Sequence, residues 1–562
     1  MKKILECVPN ISEGRDAAKI QSIASVVDDV EGAELLDIDP GKATNRTVIT
    51  FAGDPDAVIE AAFRLVKKAS ELIDMSRHSG AHPRMGATDV CPLVPVAHME
   101  MEEVQAYARK LGKRIGDELG IPIYLYENAA LTEERKNLAN CRSGEYEGLE
   151  RKFQHPNWQP DHGKADWGLA KRTGATAVGA RDFLVAYNVN LNTTSARRAN
   201  AIAFDIRERG RVMREGNSLT GAIVKDEQGN PRHIPGKLKS VKGIGWYIEE
   251  YGIAQISYNL TNISIASMHE TFEQTCVSAE SRGLRVTGSE LVGLVPLQAM
   301  LDAGIHYLRK QKRSIGIPES EIIKIAVKSL GLDELAPFDP SQKIIEYKLK
   351  EGKSDPLLEL SLRDFADETA SESPAPGGGS ISAYAGALGV SLGTMVANLS
   401  AHKRGWDDRW NEFSDWAERG MALQKRLLEL VDEDTRAFNR IMAAFGLPKL
   451  SEEEKKARTE AIRSATQEAI EVPFSVMKIC LESMEVMRQM AEIGNPNSVT
   501  DAAVGALCAR TGIEGAFLNV RVNCKDFDDA VYVAQITEKG KQILSEAKKM
   551  EAEVLAICDA KL

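Results

Sequence analysis

Two histidines and two arginines lie within the ten-residue segment RHSGAHPRMG, residues 77–86. Gly80 and Pro83 break a helical period, and Pro83 favours extended backbone at His82. The pair His78 and His82 therefore predicts an irregular loop, where chemistry is commonly placed, and not a metal site on one helix face. The arginines could hold anionic substrate groups while an imidazole moves a proton near neutral pH. Ordinary hydrogen-bonded turn histidines explain the same residues equally well.

A second chemical candidate is Asp434, which falls on an apolar helical stripe. At 100° per residue the stripe contains Leu423, Leu427, Leu430, Val431, Phe438, Ile441 and Phe445. Asp432 and Glu433 project away from it, so we expect Asp432 on the outer face. Carboxylates are rarely buried without a partner or a task. Asp434 is either a base with a raised pKa or half of an ion pair with Lys403, Arg404 or Arg409.

A glycine run, Gly377-Gly378-Gly379, opens a helix rich in small residues. Three glycines let a ligand approach the backbone, and the free N–H groups of a helix start favour an anion. A tight helix-entry turn is the structural alternative. The polar loop 495–501 is placed either to line the same pocket or to cap the next helix.

Two further segments could bind an anionic substrate. Asp39 ends a strand before the turn that holds Asn45 and Arg46. It is either an ordinary turn residue, since Asp is common before Pro-Gly, or a carboxylate that orients or charges a histidine. The long segment 141–180 is rich in aromatic, glycine and charged residues. A loop of this length is usually functional or disordered.

The elements that must position these residues change in type along the chain. Strands and helices are predicted in the first part, and only helices in the last part. The predicted strands of the first part are 4–9, 35–39, 47–51, 90–96 and 122–127, and its helices cover about 16–28, a stretch from 54, and 100–119. The second part follows the order β-α-β-β-α-β, which is ferredoxin-like: 183–191, 195–209, 241–248, 253–262, 268–282 and 285–292. A further helix over 297–312 follows.

Helical periods dominate from residue 357 to the end, apart from loops at 371–379, 446–450 and 494–500. The fold class is therefore multidomain, with two α/β, ferredoxin-like subdomains followed by an all-α domain. We expect a first subdomain over 1–180, a second over 181–335, a linker over 336–356 and a helical domain over 357–562.

Composition excludes several classes of protein. A chain of 562 residues with a net charge of −11 is too long for one core and has no overall basic field for nucleic acid. Its eight scattered cysteines form no CxxC pair and fit reduced thiols in the cytosol. No signal peptide is expected, and the apolar stretch 380–399 favours an interior helix over a membrane span.

Several motifs resemble known folate enzymes. ECVPNISEGRD, LLDIDPGKATNRTVITF and RHSGAHPRMGATDVCPLVP are similar to glutamate formimidoyltransferases. SPAPGGGSISAYAGALG and LVDEDTRAFNRIM resemble formimidoyltetrahydrofolate cyclodeaminases. The blocks cover nearly the whole chain in the order of the bifunctional family.

This resemblance implies two consecutive reactions in histidine degradation and one-carbon metabolism. The first transfers a formimino group from N-formimino-L-glutamate to tetrahydrofolate. The second cyclises 5-formiminotetrahydrofolate to 5,10-methenyltetrahydrofolate with release of ammonia. It also implies polyglutamylated tetrahydrofolate as co-substrate, no metal, a cytoplasmic location and a homo-oligomer of dimers, possibly a ring. A formyl donor and a folate-binding scaffold without activity are the alternatives that assays must separate.

The resemblance assigns roles to individual residues. His82 and Asp434 are the expected catalytic residues. Substrate and folate binding is expected at Asp39, Arg46, Arg77, Arg84, Gly163, Trp167, Gly168, Lys171, Arg172, Gly377, Gly378 and Gly379. The role of His78 is left open.

Overall fold

A seven-stranded mixed sheet is built from the first 180 residues. Its strands are β1 (Ile4–Cys7), β2 (Asn10–Ile11), β3 (Ala33–Gly41), β4 (Arg46–Gly53), β5 (Thr88–Ala97), β6 (Ile123–Glu127) and β7 (Thr176–Ala180). They are ordered β1-β4-β2-β5-β7-β6, with β3 paired to β4. Strands β5, β7 and β6 run parallel, and the β3–β4 hairpin is antiparallel, as the sequence predicts. The sheet is larger than the four-stranded sheet of a simple ferredoxin-like unit.

The helices of this part of the chain are α1 (Ala17–Ala24), α2 (Pro55–Leu72), α3 (Met101–Leu119), α4 (Leu138–Arg142), α5 (Leu149–Phe153) and α6 (Trp167–Ala170). Helix α2 starts where Asp54 accepts a hydrogen bond from the Asp56 N–H and Pro55 takes the first helical position. Its predicted apolar face is buried, which includes Val58 and Leu65. Burial of that face against the sheet forms the core under the candidate loop.

A four-stranded antiparallel sheet follows. Its elements are β8 (Val185–Leu191), α7 (Ala196–Ile206), a two-stranded excursion β9 (Arg211–Val212) and β10 (His233–Ile234), then β11 (Val241–Ile248), β12 (Ile253–Leu260), α8 (Met268–Glu280), β13 (Val286–Val292) and α9 (Leu297–Lys310). The strand order β11-β12-β8-β13 is that of a ferredoxin-like fold. The prediction for this part is confirmed.

The rest of the chain is helical: α10 (Glu319–Leu330), α11 (Pro340–Lys343), α12 (Ile345–Lys348), α13 (Leu362–Thr369), α14 (Gly378–Ala401), α15 (Trp410–Phe445), α16 (Glu452–Ile493), α17 (Val499–Asn523) and α18 (Ala530–Asp559). Helix α14 is long and apolar enough to cross a membrane, yet 61% of its most apolar window is buried. A Cβ atom on its Gly389 would lie 2.6 Å from the carbonyl oxygen of Gly505 in α17. Small residues thus let α14 and α17 approach closely, as in a core helix.

The computed structural model describes residues 3–42, 44–80, 83–217, 220–349, 356–525 and 527–562. His82 and residues 350–355 of the expected linker lie outside these ranges. Within the same expected linker, 340–348 is folded as α11 and α12, because Ile344 and Ile345 supply side chains that are fully buried. The domain limits expected from the sequence stay a prediction.

Two compact units emerge from the contacts: Met1–Ala303 with Val327–Gly352, and Gly304–Ala326 with Lys353–Leu562. Residues 304–326, which the sequence placed in the second α/β subdomain, thus cluster with the helices. The Ile315 N–H donates to Ser414 Oγ at 3.1 Å, and Asn398 Nδ2 donates to the Gly316 carbonyl at 2.8 Å. These bonds attach the segment to α15 and α14.

Candidate active sites

The candidate loop is tied to the β3–β4 turn by Asn45. This residue adopts a left-handed conformation with φ of 51°, which asparagine tolerates better than most residues. Its Oδ1 accepts the Gly14 N–H at 3.0 Å, and its Nδ2 donates to the Ser79 carbonyl at 2.9 Å. Its own carbonyl lies 3.0 Å from His78 Nε2. One side chain therefore joins three segments of the sequence.

The bonds around His78 define its protonation. A carbonyl oxygen only accepts, so Nε2 carries the hydrogen that Asn45 receives. Nδ1 then accepts the Arg84 Nε–H at 3.3 Å. Burial lowers the pKa of His78, and the nearby Arg84 charge lowers it further against the raising effect of the Asn45 bond. His78 is thus a neutral imidazole with both nitrogens engaged, which suits a positioning residue.

Arg84 is buried, at 8% exposure, and all five of its N–H groups have acceptors. Its Nη1 and Nη2 bond to the two Glu147 carboxylate oxygens at 2.8 and 2.6 Å, in fork geometry. Nη1 also reaches Glu145 Oε2 at 3.2 Å, and Nη2 reaches the His78 carbonyl at 3.4 Å. The predicted anion-binding arginine is therefore held by two carboxylates of this chain.

A pocket of about 480 Å³ opens beside these groups. It is lined by His78, Ser79, Gly80, Arg84, Gly144, Glu145 and Glu147. Gly80 and Arg84 flank His82 in the sequence, so both described ends of the His82 loop contribute to the wall. The catalytic role of His82 stays a prediction, because this residue is outside the described ranges.

Three other expected binding residues lie apart from the pocket wall. The Arg77 side chain is 87% exposed, with its Nε 3.7 Å from Asp74 Oδ2. Arg46 Nε donates to Asn10 Oδ1 at 2.8 Å, and burial lowers its pKa. Asp39 is exposed on strand β3. Their roles in substrate binding stay predictions.

The expected folate segment is linked to the pocket through Tyr146. The Tyr146 ring lies 5.3 Å from the Trp167 ring, and its hydroxyl donates to the Lys171 carbonyl. The Tyr146 N–H donates to the Arg84 carbonyl at 2.9 Å. Lys171 is exposed, and Arg172 Nη2 donates to the Glu71 carbonyl at 2.5 Å.

The two glycines of this segment differ in surroundings. Gly163 has φ of 80°, and a Cβ there would meet the Ile121 carbonyl oxygen at 2.3 Å, so its glycine is required by the backbone. Gly168 lies in the first turn of α6, where its N–H donates to Asp166 Oδ1 at 2.8 Å. The structure therefore gives both a local structural role beside the expected folate role.

In the helical unit, Asp434 lies against the start of α14. Its Oδ2 accepts the Ser380 main-chain N–H at 3.1 Å and lies 3.4 Å from the Ser380 hydroxyl, which donates to the Val431 carbonyl at 2.7 Å. A Cβ on Gly379 would lie 2.1 Å from Asp434 Oδ1, so only glycine permits this approach. Gly378 lies beside the Asn519 amide of α17, which a Cβ would meet at 3.2 Å. The glycine run and Asp434 therefore form one site, as the sequence suggests.

Burial raises the pKa of Asp434, and its contacts with Ser380 oppose that rise. No Lys or Arg of the described ranges forms an ion pair with it, so the expected pairing with Lys403, Arg404 or Arg409 is not found there. The Ser380 main-chain N–H bonds to Oδ2, which leaves Oδ1 over Gly379 without a donor from the described residues. A half-buried carboxylate with one such oxygen is suited to take a proton.

The sequence prediction that Asp432 lies on the outer face of its helix is wrong. Asp432 is buried at 2% exposure and not on an outer face, and its Oδ1 accepts the Leu357 N–H at 3.2 Å. The projection failed because it assumed one buried face, whereas a segment distant in the sequence bonds to Asp432 through the Leu357 N–H. The apolar stripe of α15 is buried only in its N-terminal part. Leu427 and Leu430 are in the core, whereas Phe438 and Phe445 are 43% and 51% exposed.

The loop 495–501 does not line this site. The Asn495 N–H donates to Ser400 Oγ at 2.8 Å, near the far end of α14. At about 1.5 Å per residue, Ser380 and Ser400 are roughly 30 Å apart along the helix. The alternative, a cap of the next helix by Ser498, Thr500 or Asp501, is not found either, because Ser498 precedes α17 without a side-chain bond to it. The Asn495 side chain instead accepts the Asn497 N–H within the loop.

Sequence reasoning missed Asn45, Tyr146, Glu145 and Glu147. Glu145 has φ of 52° and ψ of −160°, an uncommon conformation for a residue with a side chain. Such backbone costs about 1–3 kcal/mol and clusters at functional sites. The length and polarity of segment 141–180 hinted at Tyr146, Glu145 and Glu147, whereas Asn45 was visible only as a turn residue.

Three family models match the chain in succession. The formiminotransferase domain, N-terminal subdomain, matches residues 4–181, and the formiminotransferase domain matches 186–350. The formiminotransferase-cyclodeaminase model matches 361–542.

Individual relatives agree with this division. The chain is 40% identical to a formimidoyltransferase-cyclodeaminase of Mus musculus over 562 residues, 100% of both chains. It is 41% identical to a glutamate formimidoyltransferase of Streptococcus pyogenes serotype M1 over 309 residues, 55% of this chain and 94% of the relative. It is 33% identical to a methenyltetrahydrofolate cyclohydrolase of Methylorubrum extorquens over 202 residues, 36% of this chain and 97% of the relative.

Proposed function

The chain belongs to the formiminotransferase-cyclodeaminase family, and from this premise we propose that it catalyses two consecutive reactions on tetrahydrofolate. The α/β part transfers the formimino group of N-formimino-L-glutamate to N5 of tetrahydrofolate and releases glutamate. The helical part closes the product to 5,10-methenyltetrahydrofolate and releases ammonia. The observation that carries the proposal is the half-buried Asp434 carboxylate over Gly379, in the part matched by the cyclodeaminase model.

In the transfer step, N5 attacks the formimino carbon and loses its proton to His82. The resulting tetrahedral intermediate expels the glutamate nitrogen, which takes up a proton as it leaves. Arg84 supplies charge for a donor carboxylate, while His78 holds the Arg84 guanidinium from its Nε side. Asp39, Arg46 and Arg77 complete the substrate contacts in this proposal.

In the closing step, N10 attacks the carbon of the protonated formimino group, whose nitrogen becomes an amino group, and the N10 proton passes to Asp434. Asp434 then gives that proton to the departing nitrogen, which leaves as ammonia, and the carbon keeps its bonds to N5 and N10. A raised pKa strengthens Asp434 as a base and suits it to return the proton. The α14 start at Gly377, Gly378 and Gly379 brings the substrate to the carboxylate.

The folate is proposed to be a polyglutamylated tetrahydrofolate that acts as co-substrate. Trp167 offers an aromatic face for the pterin beside Gly163 and Gly168, while Lys171 and Arg172 offer charge for glutamyl carboxylates. Both steps are additions to and eliminations from an amidine-type carbon. Proton transfer suffices for them, and we propose no metal.

We propose that the chain is a cytoplasmic homo-oligomer of dimers, possibly a ring, with neither nucleic acid nor membrane as a partner. Two exposed apolar stripes support self-association. They are Ile381, Leu388, Met395 and Leu399 on α14, and Val504, Leu507, Leu518 and Val522 on α17. A second copy of the chain would remove these side chains from water.

The test supplies the pure protein with tetrahydrofolate and N-formimino-L-glutamate. Methenyl absorbance and released ammonia should rise together, in equal amounts. A parallel reaction with N-formyl-L-glutamate separates the formyl-donor alternative, since it yields no ammonia. A folate-binding scaffold would give neither signal.

A second candidate activity for the helical part is methenyltetrahydrofolate cyclohydrolase, which the Methylorubrum relative favours. That reaction adds water to the same bridging carbon. With 5,10-methenyltetrahydrofolate alone, methenyl absorbance should fall faster than in buffer without enzyme if the helical part hydrolyses it. Supplying 5-formiminotetrahydrofolate alone reports the cyclodeaminase reaction.

A further inference from the structure

We propose that Glu145 and Glu147 occupy the place on Arg84 that a carboxylate of the formimino donor takes during transfer. They are therefore competitors that set the affinity and selectivity of the donor site. The inference deepens the proposed transferase function, on which it rests for the identity of the donor.

The first reason is geometric. Glu147 holds Arg84 with two parallel bonds, from Nη1 at 2.8 Å and from Nη2 at 2.6 Å. Its carboxylate is attached to the backbone through two methylene groups, and the γ-carboxylate of N-formimino-L-glutamate is attached in the same way. The donor could therefore reproduce the same fork, but only if Glu147 leaves, because all five Arg84 donors are in use.

The second reason is charge. The described residues of the pocket wall supply one guanidinium, a neutral imidazole and two carboxylates, so their charges sum to −1. A donor with two carboxylates would meet net repulsion there. Once Glu145 and Glu147 turn away, the same wall carries the +1 charge of Arg84.

The third reason is that turning away is easy for these side chains. The side chains of Glu145 and Glu147 are 44% and 64% exposed, whereas the side chain of Arg84 is 10% exposed. Both can rotate into water while Tyr146 between them keeps its bonds to Arg84 and Lys171. The unusual backbone of Glu145 favours a change of conformation in this segment.

The test compares Glu147→Gln and Glu145→Gln with the wild-type enzyme. With tetrahydrofolate saturating, we expect the KM for N-formimino-L-glutamate to fall about fivefold in Glu147→Gln and less in Glu145→Gln, the range of a partly exposed ion pair. The KM for tetrahydrofolate should be unchanged. Glu150→Gln, an exposed carboxylate on the adjoining helix α5, is the matched control and should change neither constant.

A binding measurement keeps the inference testable without turnover. Calorimetric titration with L-glutamate, the product of transfer, should show tighter binding to Glu147→Gln than to the wild-type protein. Equal or weaker binding, or a raised donor KM, would mean that Glu147 anchors Arg84 permanently and would overturn the inference. A wild-type protein that binds L-glutamate but transfers no formimino group would instead count against the proposed function alone.

Discussion

The main-chain N–H of Ser380 donates to Asp434 Oδ2 at 3.1 Å, so a carboxylate from α15 lies on the N-terminus of α14. Helix starts favour negative charge, and this contact stabilises the ionised form. Burial acts the other way and is the larger effect, because the pKa of Asp434 is raised. The start of α14 thus holds the Asp434 side chain in place, while the raised pKa keeps its carboxylate able to take up a proton.

Asp434→Asn should abolish cyclodeaminase activity and leave formimino transfer intact. The amide keeps the shape and can still accept from Ser380, but it cannot take the N10 proton. General base catalysis contributes about two to four orders of magnitude, and we expect a loss of that size. Ammonia release from supplied 5-formiminotetrahydrofolate measures it. Glu429→Gln, about one turn earlier on α15 and exposed, is the control and should retain activity.

The same substitution should raise the thermal stability of the helical unit at pH 7. The raised folded-state pKa means that the native protein binds the Asp434 proton more tightly than the unfolded chain does. Asp434 therefore lowers stability as pH rises from its unfolded pKa of about 3.9 through its folded pKa. A gain of about 1 kcal/mol in Asp434→Asn would raise Tm by about 2–4 °C at neutral pH. Below about pH 3.9 the gain should vanish; calorimetry that shows it persisting there would contradict this account.

Asp432→Ala should destabilise the helical unit. The Leu357 N–H would lose its acceptor inside the protein, which costs about 1–3 kcal/mol. Asp432→Asn retains an acceptor and should cost less. Urea denaturation followed by circular dichroism ranks the two variants. If both unfold at the wild-type midpoint, the buried Leu357 contact does not contribute to stability.

The sequence predicts local elements well because their causes are local. The Asp54-Pro55 start of α2 and the small residues of α14 specify their elements from neighbouring positions. Helix phase also places Leu427 and Leu430 in the core. Phase alone fails at Asp432, because the segment that buries it is 75 residues away in the sequence.

Long-range polar contacts limit the prediction of the site in the same way. Arg84 is visible as a cation in a loop, yet its partner Glu147 is 63 residues later. Asn45 reads as a turn residue, and nothing local shows that it orients His78, which is 33 residues away. Chemistry-bearing residues can therefore be named from type and spacing, whereas their partners require the fold.

Cutting the chain should separate the two activities. A fragment of 1–335 should transfer the formimino group, and a fragment of 355–562 should close the folate ring. The helical fragment lacks residues 304–326, which bond to Ser414 and Asn398. We therefore expect a lower Tm for it than for the same helices in the full chain, measured by calorimetry. Failure of both fragments to fold would contradict independent domains, whereas activity lost only on dilution would indicate an obligate dimer.

His82→Ala and His78→Ala should differ in which kinetic constant they change. Loss of the proposed base His82 should lower kcat for transfer by about two to four orders of magnitude. Loss of His78 removes the acceptor of the Arg84 Nε–H and the donor to Asn45, so it should mainly raise the KM for the formimino donor. His78→Gln, which can still offer a donor and an acceptor, should recover part of that loss. Cyclodeaminase activity on supplied 5-formiminotetrahydrofolate should be unchanged in all three variants. A kcat that falls further in His78→Ala than in His82→Ala would reverse the two assignments. His78, whose two ring nitrogens are both hydrogen-bonded, would then be the catalytic base.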